Sequence, residues 1–251
     1  MTPAAGVNGA LSRGWGPARQ TLRALLSRHT VLGVSAGALE AVVSRVEFTC
    51  WRARQEIAAS DEEPTGVRVV VAGVVKIVCH GAGGGTVMVQ LVGPPSLLHL
   101  AQVRRDTMGR VRALAHTPTL VGTLPAAALR EVVCHLRVDE TLRLAEGAWQ
   151  ALSERLYEKC ALLAQPVQQR VLQELRILAR DFGTPHPAGV CIDVPLSHAD
   201  LASLVGAARA NVTRALGALR TAGVLAAVPG RLVLAAGISE ARGPQAPPGC
   251  R

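Results

Sequence analysis

Apolar residues recur at helical spacing in the last third of the chain, and this pattern predicts two short helices. Their apolar faces consist of Leu201, Leu204 and Val205 in the first helix and of Val212, Leu216 and Leu219 in the second. Ser197, with Asp200 three residues later, is suited to cap the first helix. Gly206 can take the positive φ that a tight turn between helices needs, and Gly223 is suited to end the second helix.

Two β-prone runs follow the second helix and predict a small hairpin. Residues 224–228 and 231–234 flank Pro229 and Gly230, a dipeptide typical of turns. Two helices joined by a turn and followed by a hairpin have the layout of a winged helix-turn-helix. Since such domains place their second helix in the major groove, DNA becomes the leading candidate partner.

The middle of the chain has a different pattern, with short apolar runs separated by glycine turns. The predicted strands cover residues 67–71, 74–79, 86–92, 110–114 and 119–124. Gly73 joins the first two strands, and the glycine-rich segment at 80–85 is a hairpin connection without the residues of a phosphate-binding loop. Many short strands with regular turns predict a β-roll or barrel.

A long apolar stripe between this region and the two C-terminal helices predicts a helix of about three heptads. Its members, at spacings of three and four, are Leu142, Ala145, Trp149, Leu152 and Leu156, continued by Cys160 and Leu163. The stripe favours a parallel homodimer; the alternative is that it packs on the roll of its own protomer. Pro166 breaks the helix, and a new amphipathic helix is predicted at 167–179, followed by a loop at 184–189 and a strand at 190–194.

These patterns predict an α+β chain with five segments. They are a basic N-terminal extension at 1–32, a β-roll at 33–135, a dimerisation helix at 136–165, a winged helix-turn-helix at 166–236 and a flexible tail at 237–251. Residues 1–39 contain no acidic residue, as in a transit peptide, but an extension with a helix near residues 20–28 is the preferred interpretation.

Composition adds little to the choice of partner. The net charge of the 251 residues is +9, which favours an anionic partner. Nearly all the cations are arginines, and with the richness in Ala and Gly this reflects genome composition as readily as DNA binding. The six cysteines are scattered without metal-ligand spacing, and no apolar run approaches the roughly 20 residues of a membrane span. No catalytic motif is present, so we expect a cytoplasmic protein without a metal or other cofactor that is not an enzyme.

The segment L-A-S-L-V-G-A-A-R-A-N-V-T-R-A-L-G-A-L-R-T-A-G-V-L, residues 201–225, resembles the CRP/FNR family of bacterial transcription regulators. The family pattern there is L-A-x-x-x-G-x-[ST]-R-E-T-V-x-R-x-L. Arg209 and Arg214 match its two arginines, whereas Ala210 replaces its Glu and Asn211 its Thr. The resemblance implies a cyclic-nucleotide-binding-like jelly roll, a dimer helix, a hinge at Pro166 and a winged helix-turn-helix.

The nucleotide-binding segments of that family are not retained. Where members that bind cyclic AMP have Gly-Glu-Leu for the ribose and Arg-Ser/Thr-Ala for the phosphate, this chain has Leu-Leu-His at 97–99 and Thr-Met-Gly at 107–109. We therefore expect an effector other than cyclic AMP, or none.

The candidate DNA-binding residues are Arg209, Asn211, Thr213, Arg214, Ser197 and Arg231. Arg209 and Arg214 are suited to guanine and Asn211 to adenine. Ser197 at a helix start and Arg231 in the wing are suited to phosphates. RNA polymerase is a further candidate partner. The rival hypothesis is a ligand-sensing or protein-interaction module that uses the same scaffold without binding DNA.

Overall fold

The computed structural model of the chain describes residues 15–28, 36–59, 66–81, 85–98, 110–135 and 138–236. The predicted tail at 237–251 therefore lies outside the described residues. The chain divides into two compact units, Met1–Leu156 and Tyr157–Arg251. The first unit contains helices α1 (Gly16–Arg28), α2 (Ala36–Arg45) and α3 (Ala126–His135), and a long helix, α4 (Val138–Leu163), runs from the first unit into the second.

Two antiparallel sheets of four strands form the centre of the first unit. Their strands are β1 (Glu47–Trp51), β2 (Glu56–Ala59), β3 (Gly66–Ala72), β4 (Val75–His80), β5 (Thr86–Val92), β6 (Leu97–Leu98), β7 (Arg110–Ala115) and β8 (Thr119–Pro125). The strand orders are β1-β8-β3-β6 and β2-β7-β4-β5. Each predicted strand in this region coincides with an observed strand to within one residue at either end, and the predicted roll is confirmed.

Strand β3 is buried on both of its faces, which explains its uninterrupted run of valines. Val70 packs with residues of the second sheet, including Val75 and Ala113. Val69 and Val71 belong to a second cluster on the opposite face, formed with helices α1, α2 and α3. Strands covered on two sides lose the alternation of apolar and polar residues, as here.

Helix α1 contributes directly to that second cluster. Leu22 is fully buried, and the ring of Trp15 stacks on Phe48 with centroids 5.5 Å apart. Arg23 also forms an ion pair with Glu40 of α2 at 2.5 Å. The later half of the segment predicted as an extension therefore packs into the core of the first unit, which its basic composition did not indicate.

The described part of the second unit contains the end of α4, three further helices and a small sheet. Its elements are α5 (Val167–Phe182), α6 (His198–Val205), α7 (Arg209–Thr221), β9 (Gly183–His186), β10 (Gly189–Ile192) and β11 (Val233–Ala235), with the strand order β11-β10-β9. The predicted break at Pro166 is confirmed, since α4 ends at Leu163 and α5 begins at Val167.

Two details of this unit differ from the prediction. The expected loop around Pro185 contains strand β9, and proline is accepted there because β9 is an edge strand that pairs only with β10. The expected strand at 224–228 is reduced to one bridge, between Leu225 and Leu234. The amides of Val224 and Leu225 instead bond back to the carbonyl of Leu219 at the end of α7.

Candidate nucleic-acid interface

Helix α6 begins with the predicted cap. The backbone N–H of Asp200 donates to Ser197 Oγ at 3.0 Å, and the backbone N–H of Ser197 donates to Asp200 Oδ2 at 3.0 Å. Each residue thereby satisfies a donor that a helix start leaves without an intrahelical partner. The Asp200 carboxylate already lies at this helix start and would repel a phosphate group. Ser197 is therefore the least favourable of the candidate phosphate contacts.

The turn between α6 and α7 depends on Gly206, as predicted. Its φ of 61° is left-handed, and its N–H donates to the carbonyl of Ala202. A residue with a Cβ is strained in this conformation. The turn allows α7 to begin at Arg209, only four residues after the end of α6.

Helix α7 presents a buried face and an exposed face. Val212, Ala215, Leu216 and Leu219 are buried, which confirms the predicted apolar stripe. At about 100° per residue, Ala210 and Gly217 lie at the centre of the opposite face. Both are exposed and small, so they leave room for the helix backbone to approach a groove closely.

Polar candidates lie along both edges of that exposed face. Arg209 and Thr213 lie on one edge and Asn211 on the other, while Arg214 lies near the centre, between Ala210 and Gly217. The side chain of Arg209 is exposed and makes no hydrogen bond or ion pair with another described residue. Arg214 Nη2 donates to Asn211 Oδ1 at 2.5 Å, so these two side chains act as a pair. Asn211 and Arg214 also line an open groove of about 310 Å³ with Val167 at the start of α5.

Thr213 makes structural hydrogen bonds that its position in the sequence did not predict. Its hydroxyl lies 2.9 Å from His198 Nδ1 and donates to the carbonyl of Arg209 at 3.0 Å. Thr213 therefore ties the start of α6 to α7. This leaves Arg209, Asn211 and Arg214 with the side-chain groups best placed for reading bases, while Arg231 is exposed in the wing.

The charged side chains of α7 and the wing all have one sign. Residues 201–239 contain Arg209, Arg214, Arg220 and Arg231 and no Asp or Glu. All four guanidinium-bearing residues are exposed. The positive potential that the whole-chain composition left ambiguous is thus concentrated on α7 and the wing, where a phosphate backbone would be attracted.

Three residues that the sequence did not single out stabilise the turn between α6 and α7 from the side of α4 and α5. Lys159 of α4 and Arg170 of α5 donate to backbone carbonyls of α6 and the turn, and Lys159 also pairs with the buried Glu174. Burial raises the pKa of the Glu174 carboxyl above its ordinary value, while the attraction of Lys159 opposes the rise. A buried acid in an amphipathic helix is the one sequence signal that could have pointed to them.

The described part of the chain offers no support for a metal site or for a membrane-spanning helix. No group of three or more His, Cys, Asp or Glu side chains there is placed to hold a metal ion. None of its helices is long and apolar enough to cross a membrane. Residues 99 and 107–109, which belong to the two segments that replace the nucleotide-binding segments of the family, lie outside the described residues.

Comparison with known proteins gives the same assignment for the second unit. Residues 169–235 match the model of the Crp-like helix-turn-helix domain. The chain is also 33% identical, over 118 residues, to the global nitrogen regulator of Synechococcus elongatus; the match covers 45% of this chain and 51% of that protein. The chain thus spans about half the length of the curated relatives it matches.

Solved structures share the fold over most of the chain. The c-di-GMP-responsive global regulator CLP of Xanthomonas campestris superposes with a TM-score of 0.60 at 21% identity, covering 80% of this chain and 99% of that one. A CRP/FNR-family transcriptional regulator from Thermus thermophilus superposes with a TM-score of 0.56 at 21% identity, covering 78% and 100%. The resemblance in residues 201–225 is therefore matched by a common fold.

Proposed function

We propose that this chain, which carries a Crp-like helix-turn-helix domain on the fold of the CRP/FNR regulators, is a sequence-specific DNA-binding regulator of transcription. The observation that carries the proposal is the exposed face of α7. Its centre combines Arg214 with the small residues Ala210 and Gly217, its edges carry Arg209 and Asn211, and no acidic residue lies within residues 201–239. Such a helix can enter a major groove without steric or electrostatic conflict.

In this function Arg209 and Arg214 read guanines or bind phosphates. Asn211 reads adenine by donating from Nδ2 to N7 and accepting from N6–H at the second lone pair of Oδ1. Arg231 contacts the DNA backbone from the wing, and Ser197 is a further candidate phosphate contact. Thr213 supports Arg209 through the hydrogen bond from its hydroxyl to the Arg209 carbonyl. Because Ala210 lacks the carboxylate of the family pattern, the half-site should differ from the family's common one.

The protein acts as a parallel homodimer through α4. Leu142, Trp149, Leu156 and Leu163 recur every seven residues and are between 57% and 72% exposed. Four large apolar side chains in one seam, left uncovered by their own protomer, favour a second copy over the alternative of packing on the roll. Ala145 is exposed at the intervening seam position, whereas the side chain of Leu152 lies outside the description.

The remaining parts of the proposal follow the resemblance. We place the protein in the cytoplasm, assign it no enzymatic activity, and propose RNA polymerase as a further partner. An effector other than cyclic AMP, if one acts, binds in the roll and changes the population of DNA-binding arrangements.

Selection of bound duplexes from a random DNA pool, followed by sequencing, tests this function. A dimer with two recognition helices should enrich a near-palindrome whose half-sites are about one helical turn apart. Binding to the enriched site should also weaken steeply as salt is raised. Recovery of no enriched sequence, with no salt-dependent binding to any duplex, would instead support the non-DNA-binding module.

A further inference from the structure

The turn that precedes the recognition helix is held by two cations from outside the helix-turn-helix. Lys159 Nζ donates to the carbonyl of Leu204 at 3.3 Å. Arg170 Nη1 donates to the carbonyls of Val205 at 2.9 Å and Gly206 at 3.1 Å. The last carbonyls of a helix have no partners within it, and here side chains of α4 and α5 supply them.

Lys159 is itself fixed by a buried carboxylate. Its Nζ lies 3.0 Å from Glu174 Oε2, and the side chain of Glu174 is only 5% exposed. Burying such a pair costs desolvation energy that a pair of apolar residues would avoid. The pair is therefore poorly explained by stability alone, whereas it does place an ammonium group at a defined point against α6.

The position of Lys159 along α4 places it among the residues of the proposed dimer seam. It follows Leu156 by three residues and precedes Leu163 by four, so a strict heptad places Lys159, and not the neighbouring Cys160 of the predicted stripe, at a seam position that calls for an apolar residue. Two such lysines facing one another in a parallel dimer would repel. The side chain instead turns to Glu174 and Leu204 of its own chain.

We propose that Lys159, near the end of α4, is a positioning residue for the turn before the recognition helix, with Glu174 holding its ammonium group in place. The inference rests on the proposed DNA-binding function. Arg170 completes the clamp, because it holds the next two carbonyls of the same turn. All the groups involved lie within the second compact unit.

A pair of variants isolates the lysine. Lys159→Met alone leaves Glu174 buried without a cation and is prone to unfold. The comparison is therefore made between Glu174→Gln, which keeps the lysine and its bond to Leu204, and the double variant Lys159→Met/Glu174→Gln, which leaves no buried charge. Glu158→Gln is the matched control, since it removes an ion pair between α4 and Arg180 at 3.2 Å without touching the turn.

Two measurements are made on the full-length dimeric protein. The first is the ratio of affinities for the selected site and for a random duplex. In the double variant this ratio should fall by about tenfold relative to Glu174→Gln, with random-duplex affinity and urea midpoint retained. The second, made without DNA, is amide hydrogen exchange at Gly206 and Ala207, whose N–H groups bond to Ala202. Exchange there should accelerate by about tenfold while the centre of α7 keeps its protection.

The outcomes separate this inference from the function on which it rests. If the wild-type protein binds no DNA but exchange at Gly206 and Ala207 accelerates, the regulator function fails while the clamp on the turn stands. If the double variant matches Glu174→Gln in exchange, or loses selectivity only as much as Glu158→Gln does, Lys159 does not position the turn.

Discussion

At the scale of single residues, the chemistry of the interface could be read from the chain, but the tasks of its members could not. Arg209 and Arg214 were recognisable by residue type and by their match to a family pattern. The bond between Arg214 and Asn211 follows from their spacing of three residues along α7. The contact of Thr213 with His198 instead depends on how α6 packs against α7, which spacing along one helix does not contain.

Arg209 provides the direct test of base reading. Replacing it with Ala should cost roughly 1–3 kcal/mol on the selected site, because a bidentate contact to a guanine is lost. Arg209→Lys is the matched control: it keeps the charge but not the fork, so it should keep the salt dependence and lose selectivity at one position of the half-site. Titrations against the site and its single-base variants measure both effects. Full affinity and selectivity in Arg209→Ala would remove Arg209 from the reading surface.

At the scale of elements, local sequence signals were reliable where the interactions are local. The capping of α6 by Ser197 and the left-handed turn at Gly206 were both predictable, because each involves residues within four positions of one another. The strand at β9 and the shortened wing were missed, since strand pairing depends on a partner elsewhere in the chain.

Two glycines of the helix-turn-helix should respond to alanine with opposite signs. Gly206→Ala should lower the free energy of unfolding by roughly 1–2 kcal/mol, because a left-handed φ is unfavourable for a residue with a Cβ. The nearest atom to that Cβ would be Leu163 Cδ2 at 3.4 Å, so strain rather than collision sets the cost. Gly217→Ala, in the interior of α7 with open space around it, should raise stability by about 0.5–1 kcal/mol. Urea unfolding of the two variants and of wild type measures both changes in the free energy of unfolding. Equal changes in the two variants would contradict the prediction.

The buried Glu174 should give the stability of the protein a defined pH dependence. Burial raises the pKa of its carboxyl in the folded state, despite the opposing attraction of Lys159 and with smaller contributions from Glu158 and Asp181. The folded state thus binds this proton more tightly than the unfolded state does. The resulting stabilisation is complete below the unfolded pKa of about 4.3 and is lost as the pH rises through the folded pKa.

Glu174→Gln removes that titration, so its stability relative to wild type should increase as the pH rises from about 4 towards 7. Urea unfolding at a series of pH values measures the difference. Glu154→Gln, a change at an exposed glutamate of α4, is the control for loss of a surface carboxylate. A difference between Glu174→Gln and wild type that falls with pH would mean that the pair with Lys159 outweighs burial.

At the scale of the whole molecule, the order of the segments was readable from the chain, while the role of its beginning was not. The roll, the long helix, the break at Pro166 and the helix-turn-helix follow one another as their periodicities predict. Helix α1 was expected to lie in an extension, but Leu22 and Trp15 complete a core that only the folded sheet creates.

The exposed seam of α4 makes the oligomeric state a test of the assembly. Leu156→Asp should convert the dimer to monomers, because a carboxylate at a seam position cannot be desolvated against its copy. Tyr157→Asp, a change at the adjacent exposed position outside the seam, is the matched control and should remain dimeric. Sedimentation equilibrium distinguishes the two. A dimeric Leu156→Asp would assign the interface to another surface.

The amino-acid sequence by itself determined the order of the main elements and the residue chemistry of α7, because helical and strand periodicity, caps and turn residues act over a few positions. Only the tertiary structure decided which charges meet. Lys159 and Arg170 donate to the carbonyls of residues 204–206, and Glu174, 15 residues after Lys159, holds the lysine. Their burial and hydrogen bonds arise when α4, α5 and α6 pack together, and no local pattern in the chain specifies that.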